Sequence, residues 1–125
     1  MGGPEHEIGE LLRRKGLTLG TVESATGGLI SHLITNVPGS SDYFNGSVTS
    51  YSNEVKTDII GVRAEILEKY GAVSSQVAEE MASGGRKLLA VDICIAIRVS
   101  PDRAAPRRVK RWGFSILDLP IKAAF

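Results

Sequence analysis

A chain of 125 residues, 42% hydrophobic and 23% charged with a net charge of +1, has the make-up of one globular domain that can bury a core unaided. One cysteine, Cys94, excludes an internal disulfide framework and a Cys-cluster zinc site, and two histidines, His6 and His32, leave too few ligands for a His-rich metal centre. No apolar run reaches the length of a membrane span and the N-terminus lacks a signal-peptide pattern, so the expectation is a soluble, cytoplasmic protein with no membrane partner.

Glu5 to Lys15 reads as a helix, with Ile8, Leu11 and Leu12 on one face and Gly16 as its stop. Leu17 to Glu23 alternates apolar and small polar residues and suits a strand. The chain then passes through Ser24-Ala25-Thr26-Gly27-Gly28 into a second helical stretch, Leu29 to Ile34. Val37 to Ser41 is turn chemistry, and Gly46 to Tyr51 reads as a second strand. Asn53 to Ile60 and Glu65 to Tyr70 are predicted helical, each ending on a glycine. The next helix is capped by Ser74, has Glu79 and Glu80 towards its positive end, and has Arg86 and Lys87 towards its negative end. Its Gly84-Gly85 pair costs about 1 kcal/mol per residue relative to alanine, so close packing or a bend is expected there. Val91 to Ile97 is a nearly continuous apolar run, the pattern of a buried central strand, and Cys94 within it reads as core packing. Strands alternating with helices predict an α/β fold. His32 lies in a helix without a recognisable partner and reads as structural.

Two segments carry chemistry. At Val22 to Leu29 a hydroxyl, Ser24, stands at a strand's end, followed by two glycines and the positive end of a helix. Such a loop can bind a phosphate or stabilise the oxyanion of an acyl-transfer intermediate. On spacing alone a tight βα turn of small residues is the simpler reading, and the segment is neither a Walker A loop nor a dinucleotide fingerprint. The second segment is Tyr51-Ser52-Asn53-Glu54-Val55-Lys56, where a tyrosine ends a strand and a lysine follows on the next helix. A lysine kept neutral by its surroundings can act as the base for a serine nucleophile, although most lysines so placed are simply solvated.

Four blocks occur in order: Glu23 to Gly28 (ESATGG), Val37 to Gly46 (VPGSSDYFNG), Tyr51 to Lys56 (YSNEVK) and Tyr70 to Ala82 (YGAVSSQVAEEMA). Together they resemble the CinA C-terminal domain, the competence/damage-inducible family whose enzymatic members are nicotinamide-nucleotide amidases. The resemblance runs from about Ile8 to Ile97. It departs at Ala25, where family members commonly carry cysteine beside the serine, which by itself does not remove the chemistry. The resemblance implies a three-layer α/β/α sandwich over residues 5–97. It also implies hydrolysis of nicotinamide mononucleotide, or a related nucleotide, to the nicotinate form and ammonia, with no metal or other cofactor. Carried over position by position, Ser24 is the nucleophile, with Tyr51 and Lys56 as base and proton carriers. Glu23, Thr26, Gly27, Gly28 and Asn53 would contact the substrate. The alternative from the same resemblance is a non-catalytic module that binds a nucleotide or a partner through the Ser24–Gly28 loop.

After Ile97 the pattern fails. Residues 1–97 have a charge of −4 and residues 98–125 a charge of +5, and Arg98 to Arg111 holds six basic residues and two prolines without apolar periodicity. The family continues here with a segment like T-G-I-A-G-P. The codons AGG GTA TCG CCG GAC CGA encode Arg98 to Arg103, and one C added after the first A turns them into T-G-I-A-G-P. With permitted third bases, the same frame yields S-S-T-E-E-G-K-E-V-G-L-F across Ala104 to Phe114. Residues 98–125 are therefore read as a frameshift product, leaving the sandwich incomplete at its C-terminal end. The competing reading, a natural basic tail for nucleic acid or another partner, is the weaker one. Apolar surface left uncovered by such a C-terminus favours self-association into a homo-oligomer.

Overall fold

The computed structural model describes residues 2–99 and 114–117. Helix α1 (Pro4–Lys15) leads into strand β1 (Leu19–Glu23), and helix α2 (Leu29–Thr35) into strand β2 (Phe44–Thr49). A single turn of helix, α3 (Asn53–Val55), continues as a π-helical segment, Lys56–Ile60. Helices α4 (Ala64–Tyr70) and α5 (Ser75–Leu89) then precede strands β3 (Ile93–Val99) and β4 (Phe114–Leu117). The predicted helices and strands up to Ile97 are all present, with one change of register. The stretch read as a regular helix over 53–60 widens at Lys56, whose carbonyl accepts from the N–H of Gly61. Such π-bulges are frequent at functional sites.

The sheet has the order β2-β1-β3-β4, with β1 parallel to both β2 and β3 and β4 antiparallel to β3. The two-residue period of the strands sends alternate side chains to opposite faces. Val22, Cys94 and Ala96 pack with Val77, Met81 and Ala82 of α5 and with Leu67 of α4. Leu19, Ile93 and Ile95 pack on the other face with Leu12 of α1 and with Ile30 and Ile34 of α2. Helices thus cover both faces, and the three-layer α/β/α arrangement is present. Between α1 and α2 the second face also holds an apolar groove of about 270 Å³, bordered by Ile8, Leu33, Ile95 and Ile97.

Two details go beyond the predicted boundaries. Leu17-Thr18 and Val91-Asp92 lie outside the strands because they are tied crosswise: the Asp92 carboxylate accepts from Thr18 N–H at 2.9 Å and from its hydroxyl at 3.2 Å. At the other end, β3 runs two residues past Ile97, and Phe114–Leu117 pairs with it from Ala96 to Val99. This extends the layered domain beyond the expected limit at Ile97. The physical gain is clear, since an edge of β3 left bare would expose a row of unpaired backbone groups. The remainder of the basic tail read as frameshifted, residues 100–113 and 118–125, lies outside the described residues.

The Gly84-Gly85 pair answers to close packing. A Cβ on Gly85 would fall 2.3 Å from Val22 Cγ2, and one on Gly84 would fall 2.0 Å from the carbonyl oxygen of Ile60. The second contact is with backbone of the π-helical segment, which cannot rotate away as a side chain can. Gly84→Ala is therefore expected to destabilise the fold by about 1–3 kcal/mol, as overpacking does, read as a lowered urea midpoint. An unchanged midpoint would show that α5 and the π segment are not held together at this contact.

Candidate active site

Strand β1 ends at Glu23, and the five residues Ser24–Gly28 turn the chain into α2. The turn relies on Gly27 and Gly28, at φ 65° and 107°, a left-handed conformation that side chains oppose. On the neighbouring strand, β2 is followed by Ser50, fully buried, whose N–H donates to the Glu23 carbonyl at 2.7 Å. The chain then passes Tyr51 and enters α3, where the Ser52 hydroxyl caps the turn by accepting from Val55 N–H. One residue later stands Lys56.

Lys56 is only 1% exposed, and among the described residues no carboxylate pairs with its ammonium group. Its Nζ lies 3.2 Å from Ser24 Oγ and 3.3 Å from the Tyr51 carbonyl, and it also donates to the Ser50 carbonyl. Burial disfavours the charged form and lowers the lysine below its ordinary value of 10.5. The three partners suit both protonation states. An ammonium has three N–H groups for one hydroxyl and two carbonyls. A neutral amine gives its two N–H groups to the carbonyls and turns its lone pair to the Ser24 hydroxyl, which then donates. A proton can pass from Ser24 to Lys56 and back without leaving a buried polar group unpaired, the requirement for a base in nucleophilic catalysis.

Ser24 and Lys56 open onto a pocket of about 290 Å³, walled by Ala25, Tyr51, Ala72, Val73, Met81 and Ile97. The walls are largely apolar, suited to a flat ring. Tyr51 stands at this pocket 75% exposed, and the tie to Lys56 runs through its carbonyl. The larger groove of about 710 Å³ between the π segment and α5 is open, and is bordered by the Arg63–Glu80 ion pair. It contains neither Ser24 nor Lys56.

The other residues expected at the site are distributed differently. Thr26, Gly27, Gly28 and Asn53 do not line the pocket, and Asn53 is exposed at the start of α3. Glu23 is fully buried beneath the loop. Its carboxylate accepts from the Thr21 and Thr26 hydroxyls and from the N–H groups of Ile30 and Ser31 at 2.9 and 2.8 Å. The positive end of α2, expected to face a phosphate or oxyanion, is thus already occupied by a side chain of the protein. Backbone donors remain in the loop: among the described residues, the N–H groups of Ala25 and Thr26 have no partner. None of Ser50, Ala72, Val73, Met81 and Ile97 was expected at the site from sequence. For Ala72 and Val73 the only signal was their place in the YGAVSSQ block, and for Ile97 its position at the end of the apolar strand.

The model of the CinA C-terminal domain matches residues 3–100. The chain belongs to the CinA C-terminal domain family. A CinA-like protein of Thermotoga neapolitana is 50% identical over 115 residues, which are 92% of this chain and 28% of that protein. Among solved structures, a competence or damage-inducible protein of Enterobacter asburiae is 35% identical with a TM-score of 0.75, over 82% of this chain and 63% of that one. The competence damage-inducible protein A of Klebsiella pneumoniae is 32% identical with the same TM-score, over 78% and 62%. The CinA domain described here therefore spans about a quarter of the curated relative and less than two thirds of these solved chains. No helix among its described residues is long and apolar enough to cross a membrane.

Proposed function

We propose that this CinA domain is built as a serine–lysine amidohydrolase acting on the carboxamide of a pyridine nucleotide, nicotinamide mononucleotide first among them. The observation that carries this reading is the buried Lys56 Nζ, 3.2 Å from Ser24 Oγ and held from behind by two carbonyls. Ser24 Oγ attacks the amide carbon as its proton moves to Nζ. The carbonyl oxygen becomes an oxyanion facing the N–H group of Ala25, at the pocket wall. The Lys56 ammonium then returns the proton to the amide nitrogen, ammonia leaves, and an acyl-Ser24 ester remains. Water, deprotonated by Lys56, attacks that ester and yields the nicotinate nucleotide. Every proton is carried by Lys56, so the scheme needs neither metal nor cofactor, and the Tyr51 ring is free to stack on the substrate ring at the pocket mouth.

Ammonia release from nicotinamide mononucleotide tests the reading, measured on this chain and on a version with the reading frame restored after Ile97. The expected result is release by the restored chain and its loss in the restored chain carrying Ser24→Ala. Nucleotide binding without ammonia from either chain would favour a binding module instead.

A further inference from the structure

Glu23 touches neither the pocket nor Lys56, yet it joins all three elements that carry the site. Its backbone carbonyl accepts from the N–H of Ser50, and the Ser50 carbonyl in turn accepts from Lys56 Nζ. Its carboxylate reaches forward across the loop to Thr26 and to the first turn of α2 at Ile30 and Ser31. The Ser24–Gly28 loop is thereby tied at its start, its middle and its far end by one residue. A fully buried carboxylate is costly unless its acceptor sites are filled, and here four donors fill them. An uncharged, equally large residue would serve packing as well. What the charge adds is one directed bond to the loop itself, at Thr26, and two to the first turn of α2 beyond it, across a loop whose two glycines would otherwise leave its backbone free.

We propose that Glu23 is the positioning residue of the site: an internal anion that takes the place of a bound phosphate at the start of α2 and holds Ser24 Oγ, and the N–H group of Ala25, in register with Lys56. It follows that a substrate phosphate does not dock at that helix end. This proposal rests on the reading of Ser24 as a nucleophile activated by Lys56. It predicts that losing the carboxylate slows attack by Ser24 without changing how a small reagent enters the pocket.

The test uses a small fluorophosphonate, which reads Ser24 and Lys56 without needing a nucleotide. Ser24 Oγ attacks phosphorus, fluoride leaves, and the serine proton passes to Lys56. The maximal labelling rate and the half-saturating reagent concentration are measured for the unaltered chain, Glu23→Gln and Thr26→Val, with mass spectrometry locating the label and thermal unfolding reporting the fold. Glu23→Gln is expected to lower the maximal rate by about 10²-fold, the cost of a small misplacement of reacting groups, with the half-saturating concentration unchanged. Thr26→Val, which removes one bond to Oε1 and keeps the shape, is expected to lower it by about tenfold, the worth of one hydrogen bond to a charged group. Should Glu23→Gln fail to fold, Thr26→Val decides alone. Labelling of folded variants at the unaltered rate, or rate and half-saturation moving together, overturns the positioning role and leaves the nucleophile reading standing. No label on Ser24 in the unaltered chain overturns both.

Discussion

Lys56→Met is expected to slow acylation of Ser24 by about 10²–10⁴-fold, the range for loss of a positioned general base. It is also expected to change how stability responds to pH. Methionine is similar in length and leaves the pocket wall in place, but it offers neither a lone pair to the Ser24 hydroxyl nor donors to the Ser50 and Tyr51 carbonyls. Losing those donors carries a cost that does not vary with pH. The amine itself contributes a cost that does. Lys56 is lowered from its ordinary value of 10.5 by burial, so below that pH the unfolded chain binds a proton that the folded chain resists. The parent therefore loses stability as pH falls from 10.5 towards the lowered folded value, and the variant lacks this loss. The stability difference should shift in favour of Lys56→Met as pH is lowered across that window, read from urea midpoints at several pH values. In the parent, labelling of Ser24 should rise with pH as Lys56 loses its proton, with a midpoint below 10.5. A parallel pair of stability curves, or a variant that labels as fast as the parent, would show that Lys56 is not the base.

The chain as it stands is expected to turn over nicotinamide mononucleotide about 10²–10³-fold more slowly than the frame-restored chain, the cost of losing one preorganised donor. The argument starts from the topology. Strands β2, β1 and β3 are parallel, so their carboxyl ends lie at one edge of the sheet, the place where open α/β sheets bind ligands. Ser24 follows β1, Tyr51 and Lys56 follow β2, and Ile97 of β3 lines the same pocket. In sequence, Ile97 is followed by the segment at which this chain departs from the family pattern. A threonine and flexible glycines would supply a hydroxyl and backbone donors there. The sequence here has a long cation, Arg98, and Pro101, a residue that lacks an N–H. The family model stops at residue 100, whereas the alignment with the Thermotoga relative, 115 residues long, runs past it. The kinetic comparison decides between a tail that has left the family's reading frame and one that still serves the site. Equal turnover by the two chains would make the tail irrelevant to catalysis.

Much of this architecture was legible in local patterns. The apolar run Val91–Ile97, which forms a strand from Ile93, the two-glycine turn after Glu23 and the Ser74 cap depend on neighbours in the chain and are local facts. Ser24 and Lys56 could be named, because a hydroxyl at a βα turn and a lysine after the next strand are local facts. What Lys56 does there is not local. Only the fold buries it, brings its Nζ to a serine 32 residues away and turns two carbonyls towards it, through a π-helical widening that no periodicity announces. Glu23 shows the same division from the other side. The resemblance implied contact between Glu23 and substrate, whereas in the fold the start of α2, seven and eight residues further on, turns back onto its carboxylate and donates to it. The pocket walls at Ala72, Val73 and Met81 come from a loop and helix that follow Ser24 and Lys56 in the chain and are laid across the sheet. The sequence by itself determined the elements up to Ile97, apart from the π-helical segment, and the candidate reactive groups, since these follow from spacing and backbone preference. The tertiary structure alone decided burial, pairing and therefore protonation, because those depend on which distant segments exclude water from the same few ångströms.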